Sequence, residues 1–281
     1  MVQPDAPPNH SAHNGPFDSS DPEQIFLSDV HYGALAGIAS ESLLTDLLQL
    51  FRYCGSRRIR LSILGDLFDY WMEYPGQSPQ FGTLIVEGLR QYHLESGIRP
   101  LLITGNHDNW TRVALENAGI DLEGESRIVR FGQRKGLLLH GDGLSDAGLR
   151  LPRPPLHRLL RHPLFVSLYQ HLFPQTTGLR LMKWVSERSR NRDDSNPGRL
   201  NRWAEEYLGN SDTEFVICGH DHNPRMIRFK HGTLVNCGAF LYGRTVVQYT
   251  KGTFQLVRWE GRTNRFIPCN PDNPGSEKTE Y

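Results

Sequence analysis

Five short apolar runs, 25–27, 59–64, 101–104, 136–139 and 215–218, each end in a glycine or in a polar residue of metal-binding type. Runs this short and this uniformly apolar fit strands buried on both faces, and the polar residue after each puts chemistry where the chain leaves a sheet. Helical patterns separate the first three runs. Leu43, Leu44, Leu47, Leu48 and Phe51 follow a cap predicted at Ser40, and Leu84, Ile85, Leu89 and Tyr92 repeat the spacing within 81–94. Strand, helix, strand, helix, strand predicts an α/β fold with a mixed sheet and helices on its faces.

The last third changes character. Runs at 225–229, 233–236, 245–249 and 253–259, separated by turn signals such as His231-Gly232 and Lys251-Gly252, predict a β-meander. The stretch from 145 to 208 carries no strand signal. It reads as three helices: one started or interrupted at Pro163 and stopped at Pro174, one from about Leu179 to Arg192, and one from Leu200 to Leu208. The first two form a helical insertion, 145–198, within a single domain of 24–260. Residues 1–23 and 268–281, rich in Pro, Asn, Ser and Asp, are expected to be loose tails.

Composition excludes several classes. Lys+Arg and Asp+Glu both total 31, so no global field draws this chain of 281 residues to nucleic acid, and any anion binding must be local. Cys54, Cys218, Cys237 and Cys269 form no CxxC pair, and read as small apolar side chains in a reducing compartment. The start has no apolar signal core, and no run reaches the ~18 apolar residues of a spanning helix. The expectation is a cytoplasmic protein, or one peripheral on the cytoplasmic face of the inner membrane, with no obligate protein partner evident.

The polar motifs at the strand ends are Asp29-Val-His31, Gly65-Asp66-Leu-Phe-Asp69, Gly105-Asn106-His107-Asp108, His140-Gly-Asp142 and Gly219-His220-Asp-His222. Any one of them has a bland reading as a cap, a turn or a satisfied polar group. Together they predict carboxylate, imidazole and carboxamide groups converging on the same edge of one sheet. That mixture suits two divalent metal ions of the Mn²⁺ type, with Fe or Zn²⁺ also accommodated, rather than Ca²⁺. A two-metal centre needs a bridging carboxylate, and Asp66 is the natural candidate. Metals about 3.5–4 Å apart activate water near neutral pH and clamp phosphate oxygens.

The five motifs, in this order over roughly 25–249, resemble those of the calcineurin-like metallophosphoesterases. The resemblance implies a β-sandwich flanked by helices. It also implies Asp29, His31, Asp66 and His222 around one metal, and Asp66, Asn106, His140 and His220 around the other. It gives His107 contact with substrate phosphate or protonation of the leaving group, with Asp108 or Asp69 to orient it; a histidine that only hydrogen-bonds to the site is the structural alternative. Some members of the superfamily are binding scaffolds, but those usually lose ligand positions, and none is missing here.

Within that superfamily, Ser28-Asp29-Val-His31, Gly65-Asp66-Leu-Phe-Asp69-Tyr-Trp71, His140-Gly-Asp-Gly143 and the Trp-Val-Ser-Glu-Arg-Ser-Arg phrase of the insertion are similar to UDP-2,3-diacylglucosamine diphosphatases of lipid A synthesis. This implies a lipid-linked nucleotide substrate, water attack on the α-phosphorus to release UMP, and a helical lid that holds acyl chains. Arg150, Arg153, Arg158, Arg161, Lys183, Arg188, Arg190 and Arg192 would then face phosphate or headgroup oxygens, the alternative being a solvated helix face. One position departs from that pattern, because the familiar diphosphatases carry Arg where His107 stands. A phosphomonoester leaving group, with a pKa of about 6, hardly needs a general acid, whereas an alkoxide does. His107 therefore leans towards another phosphodiester, nucleotide or phosphomonoester, or towards a diverged branch of the diphosphatases.

Overall fold

The computed structural model describes residues 22–77, 79–111, 113–144, 159, 162–190 and 196–269, with the backbone alone for 163 and 183–190. The expected tails, apart from their innermost residues, lie outside these, as do Arg150, Arg153, Arg158, Arg161 and Arg192. Lys183, Arg188 and Arg190 are described only as helical backbone.

Two sheets stack face to face. The first contains β1 (Gln24–Leu27), β2 (Arg60–Leu64), β3 (Leu101–Ile103) and β4 (Asp121–Glu123), all parallel, and β10 (Thr245–Thr250), β11 (Thr253–Glu260) and β12 (Arg265–Pro268), antiparallel, in the order β12-β11-β10-β1-β2-β3-β4. The second contains β5 (Ser126–Phe131), β6 (Arg134–Leu139), β7 (Phe215–Cys218), β8 (Arg225–Arg228) and β9 (Thr233–Asn236) in the order β5-β6-β7-β9-β8. In that sheet β6, β7 and β9 run parallel.

The alternation of side chains builds three layers from one strand. Phe26 points into the sandwich interior with Leu64, Ile103, Phe131, Ile217 and Tyr249. Its neighbours Ile25 and Leu27 face the other way, onto α1 (Gly37–Ser56) and α2 (Thr83–Ser96). Leu43, Leu47, Leu50, Phe51 and Cys54 of α1 recur at helical spacing and are buried there. Each such side chain contributes ~1.5–3 kcal/mol through burial. On the far side α6 (Pro197–Gly209), with Asn196 accepting from Gly198 N–H and proline at its first turn, lays Leu200, Ala204 and Leu208 on the second sheet.

The remaining helices are α3 (Ala114–Asn117), α4 (Pro163–Leu172), α5 (Gln175–Arg190) and the single turn α7 (Phe240–Gly243). Helices α4 and α5 are what the described residues show of the expected insertion, and α4 starts at Pro163 rather than being interrupted by it. Val166 and Tyr169 of α4 pack on Met72, Tyr74 and Trp110 of the loops after β2 and β3.

Three expectations need correction. Helix α1 begins at Gly37 behind Ala36, which makes no side-chain cap, so Ser40 lies inside the helix. The C-terminal strands are not one meander, because α7 carries the chain from β9 in the second sheet to β10 in the first. The strands that end in the polar motifs also belong to both sheets, not one: β1, β2 and β3 to the first, β6 and β7 to the second.

Candidate metal centre

All five motifs reach the same end of the sandwich because the strands they follow are parallel within each sheet. The pairing of β1 with β2 continues past the strands, through Asp29 N–H to Gly65 O and His31 N–H to Asp66 O. Gly219 N–H to His140 O does the same between β6 and β7.

Beyond these ladders the backbone is strained where the functional side chains sit. Asp29, His31, Asp66, His220 and His222 all adopt positive φ, between 44° and 71°, a region that non-glycine residues rarely enter. Strain of this kind costs on the order of 1–3 kcal/mol per residue and persists where surrounding structure enforces it, as at ligand clamps. Gly65, at φ +88°, has the further task of leaving room: a Cβ there would collide with the His140 ring.

The side chains form two adjoining clusters. In the first, His222 Nε2 lies 3.3 Å from Asp29 Oδ1 and 3.2 Å from His31 Nε2. In the second, His140 Nε2 lies 3.3 Å from Asp66 Oδ2, 3.2 Å from Asn106 Oδ1 and 3.2 Å from His220 Nδ1. Asp66 Oδ2 is also 3.7 Å from His31 Nε2, so one carboxylate oxygen stands between the clusters. Asp29, Asp66, His31 and His140 are nearly inaccessible, whereas the His222 side chain is 38 % exposed and marks the open side.

The charge balance shows what the site lacks from protein alone. Burial would raise the Asp29 carboxyl, but His222, His31 and His140 hold it well below the usual carboxylate range. Burial likewise opposes ionisation of Asp66, and His140, His107 and His31 override it and lower its pKa. Burial would lower the His140 pKa, yet Asp66, Asp29 and Asp142 push it up to about 10. Buried carboxylates thus recruit positive charge. Asp29 Oδ1 and His31 Nδ1 are buried with no hydrogen-bond partner. Nitrogen and oxygen donors aimed at common points, with an orphaned buried oxygen, fit divalent cations.

The supporting shell fixes which atoms are offered. His140 Nδ1 donates to the Leu64 carbonyl at 2.7 Å, which fixes one proton there and makes Nε2, facing Asp66 and Asn106, the nitrogen that offers a lone pair once the imidazolium loses its second proton. Asp108, expected to orient His107, instead accepts from Leu67 N–H and Gly105 N–H, both at 2.7 Å. It clamps the Asp66 loop to the Asn106 loop; burial, then the neighbouring Asp66, push its pKa up to about 6. Asp69 does meet His107, but through its backbone carbonyl, 2.6 Å from His107 Nδ1. Its carboxylate Oδ1 lies 3.8 Å from His31 Nδ1. Burial lowers the His107 pKa, with Asp66 acting against it.

Sequence reasoning passed over three supporting residues. Asp221, between the two histidines of its motif, forms a bidentate ion pair with Arg225 (2.9 and 2.7 Å). It also accepts from Asn236 Nδ2, which donates to the Gly219 carbonyl as well. These bonds hold the loop that carries His220 and His222. Its place inside Gly-His-Asp-His was the available signal. A groove of about 760 Å³ opens beside the clusters, lined by Gly33, Asp69, Tyr70, Phe81 and, from α5, Leu179 and Arg180.

A family model described as calcineurin-like phosphoesterase matches residues 25–224, which takes in every one of these motifs. A UDP-2,3-diacylglucosamine hydrolase of Ectopseudomonas mendocina is 29 % identical over 213 residues, covering 71 % of this chain and 81 % of the relative. One of Coxiella burnetii is 24 % identical over 258 residues, covering 83 % and 96 %. Among solved structures, a phosphoesterase from E. coli overlays with a TM-score of 0.43 at 14 % identity, covering 89 % of this chain and all of the other. The chain belongs to the calcineurin-like phosphoesterase family, whose members use divalent metal ions.

Proposed function

We propose that the protein hydrolyses the pyrophosphate of UDP-2,3-diacylglucosamine, releasing UMP and 2,3-diacylglucosamine 1-phosphate, with two divalent ions, Mn²⁺ in the leading assignment. The observation that carries this reading is the groove, which starts at Asp69 and Gly33 beside the clusters and continues between Phe81 and the insertion residue Leu179. Apolar walls opening directly onto phosphate chemistry suit an amphiphilic phosphate ester, and relatives named for that substrate match most of the chain.

Asp29, His31, Asp66 and His222 would hold one ion, and Asp66, Asn106, His140 and His220 the other. Bound there, the ions activate water and neutralise the oxygens of the phosphate under attack. The chain's own part is geometric. The Leu64 carbonyl holds the proton of His140 on Nδ1, and Asp108 keeps the Asp66 and Asn106 loops in register. Water adds at the α-phosphorus, and the bond to the bridging oxygen breaks with its electron pair left on the sugar phosphate.

The insertion is the proposed lid, and the inner membrane surface its neighbour. No helix among the described residues is long and apolar enough to cross a membrane. Helix α4 does expose Leu164, Leu168 and Leu172, 75, 56 and 62 % accessible, in one stripe at i, i+4 and i+8. That stripe suits contact with a lipid surface on the cytoplasmic side.

A second reading is favoured by His107. Its Nδ1 is engaged by the Asp69 carbonyl, so Nε2 is the atom offered to a leaving group, as cleavage of an alkoxide from another phosphodiester requires. UMP release from UDP-2,3-diacylglucosamine by the Mn²⁺-loaded protein, with bis(p-nitrophenyl) phosphate in parallel, separates the two. Fast UMP release supports the lipid substrate; turnover of the artificial diester alone removes it and keeps the metal chemistry.

A further inference from the structure

The His31 ring meets the rings of both His107 (centroids 4.9 Å apart) and His222 (5.2 Å), and His222 in turn meets Tyr242 (6.2 Å). The groove reaches the centre beside His107, through Asp69, and Tyr242 is not among its lining residues. The metal centre therefore has two flanks: an apolar groove past His107, and a tyrosine past His222. A phosphate ester with two substituents has one for each.

Tyr242 is 68 % exposed, although it sits on a turn that is firmly fixed. Helix α7 donates Phe240 N–H to the Ser28 carbonyl and Leu241 N–H to the Asp29 carbonyl, so it is bonded to the very loop that presents Asp29. At its other end Arg244 donates to the Phe240 and Leu241 carbonyls and to Asp46. Phe240, inside the same turn, is fully buried and anchors it in the core. A large planar ring held in solvent on a rigid support, one ring away from a metal-ligand position, loses little entropy when a second ring stacks on it.

We infer that Tyr242 is a specificity-determining residue that stacks on the nucleobase of a nucleotide substrate, on the His222 side of the metal centre and outside the apolar groove. This rests on the reading that the substrate is a nucleotide ester. It divides the substrate at the scissile bond, with the apolar half beside Phe81 and Leu179 and the base over Tyr242.

The test is competitive inhibition of bis(p-nitrophenyl) phosphate hydrolysis by UMP and, separately, by inorganic phosphate, on the Mn²⁺-loaded protein and its Tyr242→Ala and Tyr242→Phe variants. Base stacking is worth ~1–3 kcal/mol, so Tyr242→Ala is expected to weaken UMP inhibition by about fivefold or more. Phosphate inhibition should hold within about twofold, and Tyr242→Phe should restore UMP. Equal UMP inhibition in wild type and Tyr242→Ala overturns the stacking role and leaves the nucleotide reading standing. Parallel loss of UMP and phosphate inhibition overturns it in favour of a purely structural role. If phosphate inhibits the wild type and UMP binds no better, the nucleotide reading fails and Tyr242 falls with it.

Discussion

His140 Nε2 lies 3.3 Å from Asp66 Oδ2, while the other nitrogen of the same ring is bonded to the Leu64 carbonyl across the sandwich interface. A histidine from the second sheet is thus aimed at a carboxylate from the first, and a main-chain acceptor dictates which nitrogen it offers.

That pairing predicts proton release on metal loading. In the metal-free protein the His140 pKa is raised to about 10, so the ring is protonated at neutral pH and must lose that proton to coordinate. Metal affinity should rise about tenfold per pH unit between roughly 7 and 9, and flatten as pH passes the His140 value. Calorimetry in buffers of different ionisation enthalpy reads the proton directly; a pH-independent affinity would remove His140 from the ligand set.

Gly65→Ala tests the space behind this histidine. The added methyl meets the His140 ring at a position where φ is already +88°. Stability should fall by about 2 kcal/mol or more, as left-handed strain and overpacking combine. Bound metal should fall as well, since the ring cannot stay on Leu64. Thermal unfolding together with metal analysis checks both.

His107→Ala should retain metal and slow turnover on the order of 10²–10⁴-fold for substrates with poor leaving groups, and far less for p-nitrophenolate. A Brønsted series of diesters measures this. Equal slowing across the series would mean that the imidazole binds phosphate rather than protonating oxygen.

The leucine stripe of α4 predicts vesicle binding. Replacing Leu168 with Asp puts a charge into the centre of the exposed face and should reduce co-sedimentation with anionic vesicles several-fold. Hydrolysis of a soluble diester should be unchanged, because Leu168 is exposed and lies outside the cluster that Val166 and Tyr169 form with Met72, Tyr74 and Trp110. Undiminished sedimentation, or none by the unaltered protein, would remove the proposed membrane role of this stripe.

The sequence carried the architecture where the physics is local. Ile25, Phe26 and Leu27 are buried on two faces, and a run of three apolar residues before Ser28 and Asp29 says so. Strands β4, β5 and β12 were missed because they sit at sheet edges with half-exposed, mixed side chains such as Asp121, Arg127 and Arg265, where neither alternation nor a continuous run is visible. Helix α1 starts four residues early, and no capping side chain at Ala36 marks it. The motif residues were legible as a set, and the structure brings them together. What each acid does was not: Asp108 accepts from the Leu67 and Gly105 amides, and Asp69 meets His107 through its main-chain carbonyl. Which carboxylate meets an amide and which main-chain carbonyl meets an imidazole depends on contacts about 40 residues apart in sequence, as in Leu67 N–H to Asp108. Asp221 and Arg225 are only four residues apart, but in sequence a loop-bracing ion pair looks like any other acid and base, and only the place of Asp221 inside Gly-His-Asp-His set it apart.

Asp66 is the proposed link that joins two metal sites into one centre. Electron paramagnetic resonance of the protein titrated with Mn²⁺, alongside metal analysis and the Asp66→Ala variant, tests it most directly. Two ions per chain with an exchange-coupled spectrum are expected, with loss of coupling, of at least one ion and of diester hydrolysis in the variant. Two uncoupled ions, a single ion in the wild type, or a fully active Asp66→Ala protein would contradict it.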